Sequence, residues 1–150
     1  MKIKNYINGK FENPIHGEYL DNYNPSVGEV YGQVPNSSKE DVENAYQAAK
    51  NAFPSWSNTT LELRSKILSK ISNLIIEKLD FLAAAESKDN GKPVHLAKSV
   101  DIPRAASNFQ FFADALTQFS SESHESTGFN AINFTLREPI GVVGCISPWN

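Results

Sequence analysis

The sequence predicts an α/β fold that begins with short strands, continues through several helices and closes on a strand of the parallel-sheet type. Three observations support this class. An Asn-Gly turn joins two apolar segments near the start, helical spacing of apolar residues begins after Ser37, and residues 140–147 form a nearly continuous apolar run. A strand that is apolar on both faces needs neighbouring strands and covering helices, as parallel sheets provide.

The first third of the chain is predicted to be extended. Residues 6–11 place an Asn-Gly pair between apolar residues, a pattern that favours a type I′ hairpin. Residues 24–29 predict a second turn, because a proline keeps the residue before it extended and a glycine supplies a left-handed position. Residues 29–34 then predict a strand that ends at Pro35.

Helices are predicted from Ser37 onward. Ser37 precedes Glu40 by three residues, which is the spacing of a capping box, and Pro54 is predicted to end this first helix. A second capping box, Thr59 with Glu62, opens the clearest amphipathic helix, which is predicted to end near the Asn-Gly pair at residues 90–91.

The remaining helical pattern is interrupted by two prolines. Pro93 predicts the start of a third helical region, and Pro103 predicts either a kink or the start of a new helix. Residues 120–128 are interpreted as a polar linker and residues 129–136 as a strand. The linker and this strand lead into the closing apolar run.

The composition is that of an ordinary globular protein. The chain has 150 residues, 40% of them hydrophobic, and a formal net charge of -3, which excludes disordered and low-complexity classes and argues against a non-specific nucleic-acid binder. No apolar run spans a bilayer, and the N-terminus lacks the apolar core of a secretory signal. The single cysteine is consistent with a reducing, cytoplasmic location. Length alone suggests one small domain, but the closing strand predicts a larger parent protein.

Few side chains form an obvious chemical motif. Cys145 lies among apolar residues, so a small buried side chain is a better interpretation than a nucleophile. His16, His95 and His124 are scattered without metal-ligand spacing and are expected at the surface. Neither a Rossmann glycine motif nor a Walker A motif occurs.

The terminal segment 147–150 is a candidate site because it follows the predicted buried strand. Ligands of open α/β sheets bind at the carboxyl ends of strands. Trp149 supplies a flat wall, and the amide of Asn150 is a donor that can stabilise an oxyanion. A strand-to-loop turn with a packed tryptophan explains the same residues equally well.

Residues 137–150 resemble the (R)-E-P-x-G-V-x-x-x-I-x-P-W-N segment of NAD(P)-dependent aldehyde dehydrogenases. The resemblance extends upstream over essentially the whole chain, through segments 7–10, 24–30, 48–53 with Trp56, Arg64 and 86–93. Segments 54–57, 101–104 and 108–113 are similar to the branch of 2-aminomuconic and 2-hydroxymuconic semialdehyde dehydrogenases.

The resemblance implies specific roles at the end of the chain. Asn150 matches the asparagine that donates its side-chain amide to the oxyanion of the thiohemiacetal. Four residues match the segment that lines the nicotinamide end of the NAD site, with NADP as a possible alternative cofactor: Ile146, Ser147, Pro148 and Trp149. Cys145 does not match the motif of the catalytic cysteine, and the motifs of that cysteine and of the catalytic glutamate are absent.

A structural monovalent cation is also implied, because Asn22, Tyr23 and Asp101 match positions where some members hold one. The implied fold is the N-terminal part of the aldehyde dehydrogenase fold. Residues 1–127 correspond to the N-terminal part of the cofactor-binding domain. Residues 128–138 correspond to an oligomerisation arm strand, and residues 139–150 correspond to the truncated start of the Rossmann-like core.

The expected parent reaction is oxidation of an aldehyde, of the muconic semialdehyde type, to a carboxylic acid with NAD(P)⁺ in a homo-oligomer, either dimer or tetramer. The fragment itself is expected to be inactive. Three interpretations remain open: a truncated part of a full enzyme, a short non-catalytic chain that binds full-length subunits, and a free-standing helical interaction module.

Overall fold

The computed structural model describes residues 1–147, in which short antiparallel hairpins flank a group of helices. The strands are β1 (Asn5–Ile7), β2 (Lys10–Glu12), β3 (Tyr19–Asn24), β4 (Glu29–Pro35), β5 (Ser123–Ser126) and β6 (Ala131–Phe134). The helices are α1 (Lys39–Ser57), α2 (Leu61–Glu77), α3 (Leu79–Asn90), α4 (Val94–Leu96) and α5 (Ile102–Leu116). A π-helical segment, Ala97–Asp101, joins α4 to α5, and a 3₁₀ turn, Thr127–Phe129, joins β5 to β6.

The first hairpin confirms the predicted type I′ turn. Asn8 has φ 50° and Gly9 has φ 77°, the two positive angles that this turn requires. Strands β1 and β2 pair antiparallel, so Tyr6 lies opposite Phe11 with ring centroids 5.0 Å apart.

The second hairpin pairs β3 with β4 and confirms the predicted turn between them. Gly28 has φ 71°, and its N–H donates to the carbonyl of Asn24 at 2.8 Å. The N-terminal segment adds to the free edge of β4, where Lys2 bridges Gln33 in parallel. Gly32 permits this approach, because a Cβ there would lie 3.0 Å from the Met1 carbonyl oxygen.

Both predicted capping boxes were placed one residue too early. The cap of α1 is Ser38, whose backbone N–H donates to Asp41 at 2.7 Å, while Ser37 donates its hydroxyl to Asn5 instead. The cap of α2 is Thr60, which accepts from the N–H of Leu63. In each case two adjacent residues could have served as the cap, and the later one adopts the extended conformation of a cap and accepts from the N–H three residues on.

The prediction that Pro54 ends α1 was wrong, because the helix continues to Ser57. A proline removes only its own N–H, and side chains here satisfy the last carbonyls of the helix: Asn58 donates its amide to the Pro54 carbonyl at 2.7 Å. The long helix predicted after Thr59 divides at Lys78, into α2 and α3. Its predicted end is confirmed, since Gly91 follows α3 with φ 79°.

Helix α5 begins at Ile102 and Pro103 lies in its first turn, so a new helix starts at this proline, which is one of the two predicted outcomes. A proline is favoured in the first turn because its fixed φ suits a helix and the N–H that it lacks is the one a first turn needs least. Helix α5 packs against α2, and the hydroxyl of Ser72 donates to the Ala106 carbonyl at 2.8 Å. The buried apolar residues described here are mostly small: Ala83, Ala97, Ile102, Ala106 and Ala113.

The end of the chain differs from prediction in two ways. The predicted polar linker contains a strand, β5, which pairs antiparallel with β6. The predicted buried strand over residues 140–147 is not formed: this segment has no regular structure, and Ile140 and Ile146 are 92% and 93% exposed. A parallel strand takes its hydrogen bonds from neighbouring strands, and residues 1–147 offer none beside this segment. None of the helices described is long and apolar enough to cross a membrane.

Candidate functional site

The predicted cofactor and oxyanion segment is only partly described. Ile146 and Ser147 are exposed and lie in the segment without regular structure. Pro148, Trp149 and Asn150 fall outside the described residues, so their roles stay predictions.

Cys145 is exposed, which corrects the expectation of a buried small side chain. It was expected to be buried because of its apolar neighbours, and the strand that would have buried it is not formed. The three histidines are exposed as predicted, and His16 lies 3.7 Å from Glu40. Among residues 1–147 there is no group of three or more acidic, histidine or cysteine side chains that could hold a metal ion.

Two of the three side chains predicted to hold a monovalent cation have other partners. Asp101 accepts a hydrogen bond from the Lys92 ammonium at 2.7 Å. Asn22 donates its amide to the Tyr31 hydroxyl and to Asp89, whereas the Tyr23 side chain is about half exposed. A cation at these residues stays a prediction.

Sequence reasoning missed a polar cluster of Asn22, Tyr31 and Asp89, which joins β3 and β4 to the end of α3. The Tyr31 hydroxyl donates to the Asp89 carboxylate at 2.6 Å, and the Asn22 amide donates to the same oxygen at 2.9 Å. The ammonium of Lys88 lies 4.9 Å from the centre of the Tyr31 ring. Tyr31 and Asp89 are 58 residues apart in the chain, and no local pattern marks them as partners.

The electrostatics of this cluster favour a structural role. The hydrogen bond to Asp89, aided by burial and by the negative charge of Asp89, raises the pKa of Tyr31 to about 12. The same hydrogen bond, together with the one from Asn22, lowers the pKa of Asp89. The tyrosine therefore stays protonated and the aspartate ionised near neutral pH, so the pair fixes the hairpin to the helix and does not exchange protons.

An open apolar groove of about 610 Å³ lies beside the cluster. Its walls include Ile3, Phe81, Leu82 and Ile102. Phe81 is 72% exposed, so the groove presents a large apolar side chain to solvent. Such a surface normally contacts another protein surface.

Comparison with known proteins identifies the family of this chain. The family model described as "Aldehyde dehydrogenase family" matches residues 12–150. The chain belongs to the aldehyde dehydrogenase family. The α/β class and the likeness to the N-terminal part of the aldehyde dehydrogenase fold are thereby confirmed.

Two curated aldehyde dehydrogenase relatives agree with the branch suggested by the sequence. The 2-aminomuconic semialdehyde dehydrogenase of Bos taurus is 45% identical over all of this chain, which covers 30% of that protein. The 2-hydroxymuconic semialdehyde dehydrogenase of Pseudomonas sp. is 39% identical over 99% of this chain and 32% of that protein. The chain therefore spans about 30% of the length of the curated relatives it matches.

Solved aldehyde dehydrogenases share the fold. A mutant of the Bacillus cereus aldehyde dehydrogenase matches with a TM-score of 0.93 and 35% identity, over 99% of this chain and 30% of that one. An NAD⁺ complex of aldehyde dehydrogenase from Bacillus cereus matches with a TM-score of 0.79 and 33% identity, over 83% of this chain and 26% of that one.

Proposed function

We propose that the protein containing this chain oxidises an aldehyde of the muconic semialdehyde class with NAD⁺ or NADP⁺. The observation that carries the proposal is the 45% identity to a 2-aminomuconic semialdehyde dehydrogenase across all 150 residues. In the balanced reaction, aldehyde, water and NAD⁺ give carboxylic acid, NADH and a proton. The cofactor, when bound, accepts the hydride from the substrate.

The described residues do not form a dinucleotide pocket by themselves. Ile146 and Ser147 are exposed, and residues 1–147 contain no parallel sheet on which a dinucleotide could lie. In the proposed protein, Ile146, Ser147, Pro148 and Trp149 contribute one wall of the nicotinamide site, and other strands complete it.

The proposed catalytic group of this chain is the side-chain amide of Asn150. An amide N–H aimed at the carbonyl oxygen of an aldehyde stabilises the negative charge that develops there when a thiolate attacks. Asn150 keeps this role only when the nucleophile comes from elsewhere in the protein, since Cys145 lies outside the motif of the catalytic cysteine. The 150 residues alone are therefore proposed to be inactive.

We further propose the division into the N-terminal part of the cofactor-binding domain (1–127), an oligomerisation arm (128–138) and the start of the core (139–150). The arm proposal is supported by β6, whose four residues are all exposed, including Ile132 and Phe134. An exposed apolar strand is a template for pairing with another chain, which favours a dimer or tetramer. A reducing cytoplasmic location is the compartment proposed for this assembly, because the proposed reaction needs a free thiol as nucleophile and the one cysteine of this chain, Cys145, is a free thiol as well.

Substitution of Asn150 tests the proposed role in the full-length protein. We expect Asn150→Ala to lower kcat by ~10²–10³ with a modest effect on KM, because one oxyanion donor is lost. Asn108→Ala is the matched control, since it removes the same amide from an exposed position on α5. Equal kcat values for Asn150→Ala and the wild type would remove Asn150 from the oxyanion role.

A non-catalytic chain that associates with full-length subunits is the second candidate. The observation that favours it is the exposed apolar surface of the β5–β6 hairpin and its flanks, where Phe129 is 87% exposed. Co-expression with a full-length homologue tests it. Co-purification of a catalytically silent complex supports this candidate, and a chain that remains free in the presence of the homologue contradicts it.

A further inference from the structure

The ion pair between Lys92 and Asp101 occupies the position where the family resemblance implies a monovalent cation. The Lys92 ammonium donates to Asp101 Oδ2 at 2.7 Å. Both side chains are largely shielded, with 28% and 30% of their surface exposed. The pair joins the loop after α3 to the last residue of the π-helical segment.

Local structure holds Lys92 in place before it meets Asp101. Gly91 ends α3 in a left-handed conformation, and its N–H donates to the Ser87 carbonyl at 2.9 Å. The N–H of Lys92 itself donates to the side chain of Asn90 at 2.8 Å. Pro93 follows with a restricted φ, so the backbone on both sides of the lysine is fixed. The backbone of this segment is therefore ordered without the pair, and only the lysine side chain is ordered by it.

Another of the implied cation ligands, Asn22, is engaged in a different cluster. The amide nitrogen of Asn22 points to Tyr31 and Asp89, which already satisfy each other at 2.6 Å. A metal ion bound at Asp101 would lie beside the ammonium, and two positive charges at such a distance repel each other. The described residues therefore fit an internal cation better than a bound one.

We propose that the Lys92 ammonium is the resident cation at Asp101, and that this protein takes neither Na⁺ nor K⁺ there. The lysine neutralises the carboxylate and ties the end of α3 to the segment from which α5 begins. Stability is then independent of which monovalent cation is in the buffer.

Thermal melts of the full-length protein test this in NaCl, KCl and choline chloride of equal ionic strength. Choline is too large to enter a cation site built for Na⁺ or K⁺. The wild type is expected to melt at the same temperature in all three salts. Lys92→Met is expected to melt roughly 2–4 °C lower in choline chloride, with part of the loss recovered in NaCl or KCl. The matched control is Lys98→Met, which removes the same charge from the more exposed pair with Asp80 and should change little.

Two results would overturn the proposal. A wild-type melting temperature that rises in NaCl or KCl over choline chloride would show a bound cation. A Lys92→Met protein as stable as the wild type in every salt would show that the lysine does not serve Asp101. The wild-type comparison needs no variant, so it decides the matter even where Lys92→Met does not fold.

Discussion

The chain produced alone, without further polypeptide, is expected to be a loosely packed, molten protein. The structure supplies the reason in its buried residues, which among those described are four alanines, one isoleucine, one proline, one glycine and two polar residues. No large side chain among them is fully buried. A core of this kind provides little of the apolar burial that stabilises a domain.

Surface area gives the size of this deficit. The chain exposes 11647 Å² at a mass of 16.6 kDa. A compact protein of that mass exposes about 7,600 Å², so about 4,000 Å² is exposed in excess. Relative to the unfolded chain, about 52% of the surface is buried, whereas a 150-residue domain buries about 68–70% and a marginal 60-residue domain about 60%. Interface areas count the surface of both partners, so an excess of about 4,000 Å² on this one chain corresponds to about 8,000 Å² in total, above the range of about 2,000–5,000 Å² of most obligate interfaces.

The assay combines calorimetry, near-ultraviolet circular dichroism and binding of a hydrophobic dye. We expect helical signal without a sharp thermal transition, weak near-ultraviolet signal and strong dye binding. The full-length protein is the control and should show a cooperative transition with little dye binding. A sharp melt and a dispersed NMR spectrum for the 150-residue chain would refute the reasoning.

Two further predictions concern stability in the full-length protein. Hydrogen bonds from the backbone N–H of Ser38, and then of Ile15, lower the pKa of the Asp41 carboxyl in the folded protein. The ionised carboxylate therefore stabilises the folded state at pH values above the pKa that Asp41 has in the unfolded chain. This contribution to stability is lost as the pH falls through the lower pKa of the folded state. Asp41→Asn should therefore melt below the wild type at neutral pH, with a gap that narrows below about pH 4. A gap that stays constant with pH would contradict this. Gly91→Ala should lower the free energy of unfolding by about 1–2 kcal/mol, measured by chemical denaturation, because Gly91 has a left-handed φ that alanine disfavours. The control Gly128→Ala should leave the free energy of unfolding unchanged, and equal effects of the two substitutions would contradict this prediction.

Local turn chemistry was predictable from the sequence. The type I′ turn at Asn8-Gly9 and the left-handed stop at Gly91 depend on residues whose backbone preferences differ from those of all others. Helix starts were less predictable, because Ser37 and Ser38 are equally good caps and the contact of Asp41 with Ile15, 26 residues away, selects the second. Pro54 was misjudged because a proline removes a single N–H donor, and the last turn of the helix continues beyond it to Ser57, where the Asn58 amide donates to the Pro54 carbonyl.

Long-range features were not predictable from local patterns. The hydrogen bonds among Asn22, Tyr31 and Asp89 join a hairpin to a distant helix. The strand predicted from the apolar run at 140–147 was wrong for these residues, because a parallel strand exists only when its neighbours are present and the described residues supply none beside this segment. The family resemblance carried the functional expectation, since residues 146–150 form no pocket within the described part of the chain.

The most direct test of the proposed activity is aldehyde-dependent reduction of the cofactor by the full-length protein. Purified protein is mixed with NAD⁺ or NADP⁺ and either 2-aminomuconic or 2-hydroxymuconic semialdehyde, and the absorbance of the reduced cofactor is followed. We expect reduced cofactor and carboxylic acid in equal amounts, at a rate that falls ~10²–10³-fold in Asn150→Ala. A folded protein that reduces neither cofactor with either aldehyde would contradict it.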